Sequence, residues 1–240
     1  MLGLQKRQAN PAIAVQGNLT RIACEHSGIS HCITMGCPSL TINREANLRA
    51  TMAQNWENLF EKIKNGRDIK ILLAIPRPLQ NGDEKKVMRL FKRVASHHTT
   101  KVVEQTNSDP RLATQFGLMN TTIFNNVEEW FALTGSVDLI LSARIHGGMA
   151  GIARATPTIV IPTDLRIQEL ADTMQIPQLS LQDVSKIDPA DLTSLRTYVE
   201  ADFSSFEINR RRLISDYIKI LNEADLQIHP ELLSISMQEQ

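Results

Sequence analysis

The sequence predicts an α/β fold, with a parallel sheet and helices on both of its faces. Between about Ile69 and Leu181, short apolar runs alternate with longer segments whose apolar residues recur every three or four positions. The runs have the length of strands, and the longer segments have helical periodicity. This alternation favours parallel strands joined by crossover helices. Because such crossovers are right-handed, the loops that follow the strands are expected along one edge of the sheet.

Composition and charge place the chain among ordinary globular proteins. It has 240 residues, of which 42% are hydrophobic and 22% are charged, and this length suits one or two domains. The 26 Lys and Arg residues balance the 26 Asp and Glu residues, so no basic field favours nucleic acid as a partner. No apolar run of about 18 residues predicts a transmembrane segment. The N-terminus lacks the apolar region of a signal peptide, and we therefore expect a cytoplasmic protein.

The cysteines do not predict a disulfide framework or a zinc site. Cys24, Cys32 and Cys37 all lie early in the chain, and no two of them form a CxxC pair. An odd number of cysteines without such a pair is typical of reduced cytosolic thiols. Cys37 stands before Pro38 and is either a reactive thiol or a small buried apolar residue. No other pattern predicts a metal site.

The first 66 residues predict a small unit and a helix. Ile13–Val15 and Ile29–Met35 predict strands, and Asn18–His26 between them predicts a helix. So short a strand–helix–strand unit cannot bury a core by itself. We therefore expect three parts: residues 1–40 as the remnant of an N-terminal α/β domain, residues 41–66 as a connecting helix, and residues 67–240 as the main domain.

The strands of the main domain are predicted from apolar runs that end at turn residues. Ile69–Ile75 is continuously apolar and stops at Pro76-Arg77-Pro78, and Asp138–Leu141 stops before a glycine-rich segment. Shorter runs predict the remaining strands at Lys101–Val103, Ile123–Phe124, Thr158–Ile161 and Gln178–Leu181.

The helices are predicted from apolar periodicity and from capping residues. Asn126 and Asp188 have the residue types of N-caps, and proline opens the helix that begins at Asp109-Pro110. Arg210–Arg212 is expected on a solvated face of the last long helix, after which the chain frays. The predicted helices are Asn47–Lys64, Glu84–Ser96, one from Asp109, Asn126–Thr134, one after His146, Leu165–Met174, one from Asp188, and Phe203–Glu223.

The segment Ser142–Gly151 is the strongest candidate for a functional site. It joins a buried strand to a helix, and it places Arg144 and His146 at the junction. In open α/β sheets, ligands bind at the carboxyl ends of the strands. A helix N-terminus adds free backbone N–H groups and a partial positive charge, and Gly147 and Gly148 let a ligand approach the backbone. The sequence therefore predicts an anion site. The glycines also fit a tight turn, and both interpretations hold together.

Further side chains are expected at the same edge of the sheet. Arg77 follows one strand and is a possible ligand contact or a solvated arginine. Asp164 precedes a helix, where it fits an N-cap or a contact to a ligand hydroxyl. Arg166 lies in the first helical turn, where a cation is unfavourable for the helix dipole. That misfit favours an anion close to Arg166, either the substrate or Asp164.

Two segments resemble the polysaccharide pyruvyl transferase family. Gly36-Cys37-Pro38-Ser39-Leu40 is similar to the family's Gly-Cys-Pro-Ser-Leu segment. The stretch from Asp138 to Pro177 is similar to its signature, which contains Ser-x-Arg-Leu-His-Gly, then Gly-x-Pro, a strand, an aspartate with a basic residue, and a helix ending in Gly-Ile. The matching positions are Ser142, Arg144-Ile145-His146-Gly147, Ala155-Thr156-Pro157, Ile159–Ile161, Asp164, Arg166 and Gln175-Ile176.

The resemblance implies a GT-B-like enzyme of two Rossmann-like domains, in which residues 67–240 form the C-terminal domain. Members move the enolpyruvyl group of phosphoenolpyruvate onto a sugar of a glycan, so phosphoenolpyruvate and a sugar acceptor are the expected partners, without a cofactor. By this similarity Arg144 and His146 are the catalytic pair, and Gly147, Gly148, Asp164 and Arg166 bind substrate. The chain departs from the family at Val15-Gln16-Gly17, where Val-Arg-Gly is common, and at Ile145 and Ala155, where leucine and glycine are common.

Three hypotheses about function remain open. The first is a pyruvyl transferase in which Arg144 binds an oxyanion of the donor and His146 is a general acid. The competing interpretations are a surface arginine paired with a helix carboxylate and a histidine that caps the helix or is held by core hydrogen bonds. The second hypothesis is a GT-B glycosyltransferase that uses a nucleotide sugar. The third is a non-catalytic, shortened relative, which the few residues before Gly36 favour.

Overall fold

The computed structural model describes residues 12–77 and 82–237. The strands are β1 (Ile13–Val15), β2 (Cys32–Thr34), β3 (Lys70–Ala74), β4 (Thr99–Val103), β5 (Thr121–Thr122), β6 (Leu139–Ser142) and β7 (Thr158–Val160). The helices are α1 (Asn18–His26), α2 (Leu48–Lys64), α3 (Gly82–Ala95), α4 (Asp109–Gln115), α5 (Val127–Gly135), α6 (Ile145–Ile152), α7 (Leu165–Met174), α8 (Leu195–Tyr198), α9 (Phe203–Glu223) and α10 (Pro230–Met237). Residues 1–11 of the expected N-terminal unit, and Pro78 beside Arg77, lie outside the described residues.

The main sheet is parallel, as the alternation of strands and helices predicts. Its five strands have the order β5-β4-β3-β6-β7. The chain begins in the central strand β3, moves outward through β4 and β5, and then crosses back to β6 on the other side of β3. This order and the flanking helices are those of a Rossmann-like, GT-B-like fold. The reversal of direction lies between β3 and β6.

Helices cover both faces of the sheet because the central strands are apolar on both faces. In β3, Ile71 and Leu73 belong to the larger buried cluster, together with residues of α2 and α3. Leu72 alternates with them and belongs to a smaller cluster, against which Trp130 of α5 packs. Successive side chains of a strand point to opposite faces, so a continuous apolar run requires a helical layer on each side.

Several predicted boundaries and caps are confirmed and others are wrong. Asn126 caps α5, because its side chain accepts a hydrogen bond from the Glu129 N–H. Asp188 does not begin a helix: its carboxylate accepts the Ala190 N–H in a local turn, and Asp191 instead caps a short 3₁₀ helix. The strand predicted at Gln178–Leu181 is reduced to one bridge between Gln178 and Val160. The strand predicted at Ile123–Phe124 is formed two residues earlier, by β5, and α10 follows α9 where fraying was expected.

The arginine run of α9 does not form a solvated face throughout. Arg210 is fully buried, and its guanidinium donates hydrogen bonds to the carboxylate of Glu207 and to the carbonyls of Asn43 and Glu45. Burial lowers the pKa of Arg210, and the charge of Glu207 opposes that effect. Only Arg212 of the run is exposed. The expectation is therefore wrong for Arg210, which ties α9 to the segment before α2.

A second, two-stranded parallel sheet precedes the main one. β1 pairs with β2, and α1 connects them. The carboxylate of Glu169 in α7 accepts hydrogen bonds from the backbone N–H and the hydroxyl of Thr20 in α1. Ile13, Leu19 and Ile22 of this unit are exposed. The unit therefore docks on α7 and leaves some of its apolar side chains in solvent.

Across residues 12–77 and 82–237, none of the helices combines the length and the apolar character needed to cross a bilayer.

Candidate functional site

The predicted site residues gather where the strand order reverses. Ile75-Pro76-Arg77 follows β3, and Ser142-Ala143-Arg144 ends β6 and leads into α6. β3 and β6 are hydrogen-bonded neighbours, and their connections run to opposite sides of the sheet. Such a reversal leaves a crevice at the carboxyl ends of the strands, where open α/β sheets bind ligands.

A pocket of about 200 Å³ occupies this crevice. It contains five of the side chains that the sequence singles out, three of them arginines. Its lining consists of Arg77, Glu84, Gln105, Thr106, Ala143, Arg144, Ile145, His146, Thr163, Asp164, Arg166 and Ile167. Gly147 and Gly148 do not line it. A larger groove of about 570 Å³, lined by other residues of α7 such as Gln168 and Asp172, has neither arginine nor histidine, so it does not suit an anion.

Arg144 is buried rather than free in solvent. Its Nε donates to the carbonyl of Ile75 and its Nη2 to that of Pro76. Nη2 also lies 2.6 Å from a carboxylate oxygen of Asp109, the first residue of α4. The guanidinium is thus oriented by three partners on two other segments. None of the hydrogen bonds within the described residues uses Nη1, which leaves this nitrogen for a ligand in the pocket.

Asp109 is the partner of Arg144 that sequence reasoning missed. Its side chain is almost fully buried, and it also accepts the N–H groups of Gln105 and Thr106 and the Thr106 hydroxyl. A buried charge needs both a counter-charge and hydrogen bonds. Asp109 provides them for Arg144. The sequence signals only a helix start at Asp109-Pro110, since the contact depends on where the first residue of α4 lies relative to the loop that follows β6.

His146 is exposed and lies in the first turn of α6. Its Nε2 is 3.9 Å from the Sγ of Cys37, which follows β2. The Ser39 hydroxyl donates to the same sulfur at 3.0 Å. Burial raises the pKa of the Cys37 thiol, but the hydrogen bonds with His146 and Ser39 outweigh burial and lower the pKa to about 7. The two motifs that carry the family resemblance therefore meet in space.

Gly147 and Gly148 lie within the first turns of α6 and not in a tight turn with positive φ. A Cβ at Gly147 would lie 2.7 Å from the Ala74 Cβ and from the Ser142 Oγ, and one at Gly148 would lie 2.7 Å from a methyl of Val160. These glycines therefore let α6 approach the sheet closely. Because Arg144, the N-cap residue of α6, makes no side-chain cap, the first backbone N–H groups of the helix have no such partner.

Asp164 and Arg166 line the pocket from α7. Asp164 caps this helix by accepting the Ile167 N–H at 2.7 Å, as its position predicts. Arg166 is exposed, and within the described residues no carboxylate lies close enough to form an ion pair with it or with Arg77. The predicted salt link between Arg166 and Asp164 is not formed. The alternative, that Arg166 faces an anion in the pocket, stays a prediction.

Glu84 and Gln105 are further pocket residues that sequence reasoning missed. Glu84 comes from α3 and is buried. The Nε2 of Gln105 is buried without a hydrogen-bond partner within the described residues. Neither residue belongs to a motif, so no local signal marks them. Over those same residues, His, Cys, Asp and Glu side chains do not gather in groups of three that could hold a metal ion.

Comparison with known proteins identifies a family. The family model described as "Polysaccharide pyruvyl transferase" matches residues 23–164, more than half of the chain, from α1 to Asp164. The match includes Cys37, Arg144 and His146. Neither a curated protein nor a solved structure matches the chain significantly.

Proposed function

Because the chain belongs to the polysaccharide pyruvyl transferase family, we propose that it transfers a pyruvyl group from phosphoenolpyruvate to a sugar of a cell-surface glycan, in the cytoplasm. The single observation that carries the proposal is the pocket at the reversal of the sheet, which joins Arg144 and His146 to two further arginines. Phosphoenolpyruvate carries a phosphate and a carboxylate, and arginine binds both groups bidentately.

The donor binds through its two anionic groups. Arg77 and Arg166 face the pocket without an ion-pair partner among the described residues, and Arg144 offers Nη1. The backbone N–H groups of the first turn of α6 add partial positive charge. Gly147 contributes to this turn through its backbone, and Gly148 through the close packing of α6 on β7. Arg144 is pre-oriented by Asp109 and two carbonyls, so its ordering costs little when the donor binds.

His146 acts as the general acid. A proton passes from the imidazole to the methylene carbon of the enolpyruvyl group, whose double bond supplies the electron pair. The adjacent carbon becomes electrophilic and is attacked by a sugar hydroxyl, whose proton returns to the imidazole. Phosphate then leaves with the electrons of its bond to this carbon, and a second hydroxyl closes the pyruvate ketal and gives its proton to the released phosphate. His146 suits this step because it lines the pocket and because histidine exchanges protons near neutral pH.

The acceptor sugar contacts Asp164, whose second carboxylate oxygen is not used by the N-cap bond. We further propose that residues 67–240 are the Rossmann-like domain that binds the donor, joined by residues 41–66 to residues 1–40, which belong to a second α/β domain. The contact between Cys37 and His146 supports this division, since it places residues that follow β2 opposite α6.

The test is phosphoenolpyruvate-dependent release of phosphate in the presence of sugar acceptors, together with calorimetry of donor binding. His146→Gln is expected to lower the turnover by about 10²–10⁴-fold, as removal of a general acid does. It leaves donor binding nearly unchanged. Arg166→Gln is expected to weaken donor binding by at least about tenfold, which corresponds to one charge-assisted hydrogen bond. Both side chains are exposed, so the variants are expected to fold.

His97→Gln and Arg212→Gln are the matched controls. They remove an exposed histidine and an exposed arginine that do not line the pocket. Both controls are expected to behave as the wild type. Equal phosphate release by wild type and His146→Gln would overturn the role of His146. Binding of a nucleotide sugar, with no binding of phosphoenolpyruvate, would replace the proposal with a glycosyltransferase.

A further inference from the structure

The contact between Cys37 and His146 is a thiol–imidazole pair at the edge of the donor pocket. The Cys37 Sγ and the His146 Nε2 are 3.9 Å apart. Cys37 is only 7% exposed and does not line the pocket, whereas His146 does. A bound donor can therefore touch His146 but not Cys37, so any effect of the thiol on the reaction passes through the imidazole.

Two features around the sulfur favour its ionised form. The Ser39 hydroxyl donates to Sγ at 3.0 Å, and hydrogen bonds to a charged form stabilise that form. The imidazole faces the same sulfur from α6, and a nearby cation has the same effect. Tyr217 of α9 also lies near this site. Burial and negative charge on Cys37 raise the pKa of the Tyr217 hydroxyl. Tyr217 is thus a neutral neighbour near pH 7.

We propose that Cys37 is a positioning residue for His146 and that the two side chains form a thiolate–imidazolium pair. The proton leaves Sγ for Nε2, the electrons of the S–H bond stay on the sulfur, and the net charge of the pair does not change. The Cys37 thiolate orients the His146 imidazolium and holds its positive charge at the edge of the pocket. The ion pair itself does not depend on the proposed function. Its effect on turnover rests on the proposed role of His146 as the general acid.

The remaining charged groups that line the pocket with His146 come from the start of α6 and from other segments. They are Arg77 after β3, Glu84 of α3, Arg144 at the start of α6, Asp164 at the N-cap of α7, and Arg166 of α7. Arg144 is paired with Asp109. Within the described residues, no hydrogen bond or ion pair joins His146 to any of these groups, whereas the Sγ of Cys37 lies 3.9 Å from its Nε2.

The first experiment measures ionisation of the thiol and does not need turnover. Cys24 and Cys32 are replaced by serine so that Cys37 is the only thiol of the chain, and the ultraviolet absorbance of the thiolate is followed against pH. The midpoint is expected near pH 7, where the lowered pKa of Cys37 lies. In the same background His146→Gln is expected to raise the midpoint, with at least about tenfold less thiolate at pH 7, since one pKa unit is a factor of ten.

His97→Gln is the control, since it removes an exposed histidine far from the thiol in sequence and is expected to leave the midpoint unchanged. An unchanged midpoint in His146→Gln would overturn the pair, and so would a wild-type midpoint at the ordinary thiol value. Both outcomes leave the proposed function intact. Conversely, absence of phosphoenolpyruvate turnover would overturn the proposed function, while a midpoint that depends on His146 would still support the pair.

The second experiment separates positioning from simple packing. Cys37→Ser keeps the size of the side chain and its hydrogen bond but does not ionise near neutral pH. It is expected to lower turnover by roughly tenfold, with donor affinity unchanged and the pH profile of turnover displaced. Cys37→Ala, which loses the hydrogen bond as well, is expected to lose more. A Cys37→Ser protein with the wild-type pH profile would show that the thiol has only a packing role.

Discussion

At the scale of single residues, Ala155 and Gln175 have the backbone conformation of the glycines that stand at these positions in the family pattern. Ala155 and Gln175 have φ values of 54° and 53°, in the left-handed region that favours glycine. The family pattern has glycine at both positions: two residues before Pro157, which precedes β7, and at the end of α7. The chain therefore keeps the left-handed backbone there with residues for which this region is unfavourable by about 1–2 kcal/mol.

Gln175→Gly is expected to stabilise the protein by about 0.5–1 kcal/mol. Gln175 is exposed and ends α7 in a left-handed conformation, so glycine relieves the backbone cost without removing buried surface. Ala155→Gly is expected to be nearly neutral, because Ala155 is buried and loses its methyl contacts. Denaturant unfolding measures both changes. Gln54→Gly in the middle of α2 is the control and is expected to destabilise by about 1 kcal/mol; stabilisation there would contradict the conformational argument.

The residue scale also shows the limit of sequence reasoning. Arg144, His146, Asp164 and Arg166 could be placed at one edge of the sheet because the strand order of an α/β fold determines where their loops lie. The side chains that contact these residues could not be predicted. The approach of Asp109 to Arg144 depends on the packing of helices over a distance of 35 residues in sequence, and no motif encodes it. For the same reason, the burial of Arg210 differs from what a charged run predicts.

At the scale of elements, α6 is defined by its glycines. Gly147, Gly148 and Gly151 face the sheet, and a Cβ at Gly151 would lie 2.2 Å from the Thr158 Oγ1 and 2.5 Å from the Ile140 Cδ1. The helix therefore lies unusually close to β6 and β7, and this approach carries its N-terminus to the pocket. The sequence predicts the helix but not its packing. Glycine inside a helix predicts a less stable helix, and its role becomes clear only when the close contact with the sheet is known.

Gly151→Ala is expected to destabilise the protein by about 1–3 kcal/mol, as overpacking of a core does. The methyl group would force α6 away from Thr158 and Ile140, and we expect weaker donor binding as well. Gly82→Ala is the matched control, because a Cβ at Gly82 meets nothing within 4 Å and alanine is the better helix former. Thermal unfolding of the two variants decides the point. Equal melting temperatures would contradict the close packing.

At the scale of the whole molecule, the alternation of elements sufficed to predict the parallel sheet, but not the docking of the N-terminal unit. β1 and α1 have the predicted type and extent, whereas β2 has the predicted type but covers only Cys32–Thr34 of the expected Ile29–Met35. Their position is determined by α7, through Glu169 and Thr20, and by Gly36, whose φ of 64° turns the chain beside Met174. These contacts bring Cys37 to His146. Docking between distant segments depends on surface fit, which no local pattern reveals.

Gly17→Ala is expected to loosen this docking. A Cβ at Gly17 would lie 2.0 Å from the Glu169 Cγ, so Glu169 must move and its hydrogen bonds to Thr20 are lost. α1 has no acidic residue in its first turn and no side-chain cap from Gly17, so Glu169 is its N-terminal partner, and its loss is expected to cost about 1 kcal/mol. Hydrogen exchange should quicken in residues 13–34 and remain unchanged in β3 and β6.

The matched variant is Glu169→Ala, which removes both the hydrogen bonds and the atoms that the new methyl group would strike. Alone, it is expected to quicken exchange in residues 13–34 to a similar degree. Combined with Gly17→Ala, it should show no further effect, because the two changes act through one contact and are therefore not additive. Fully additive effects would mean that Gly17 and Glu169 act independently. The N-terminal unit would then owe its position beside His146 to other contacts, such as that of Gly36 with Met174.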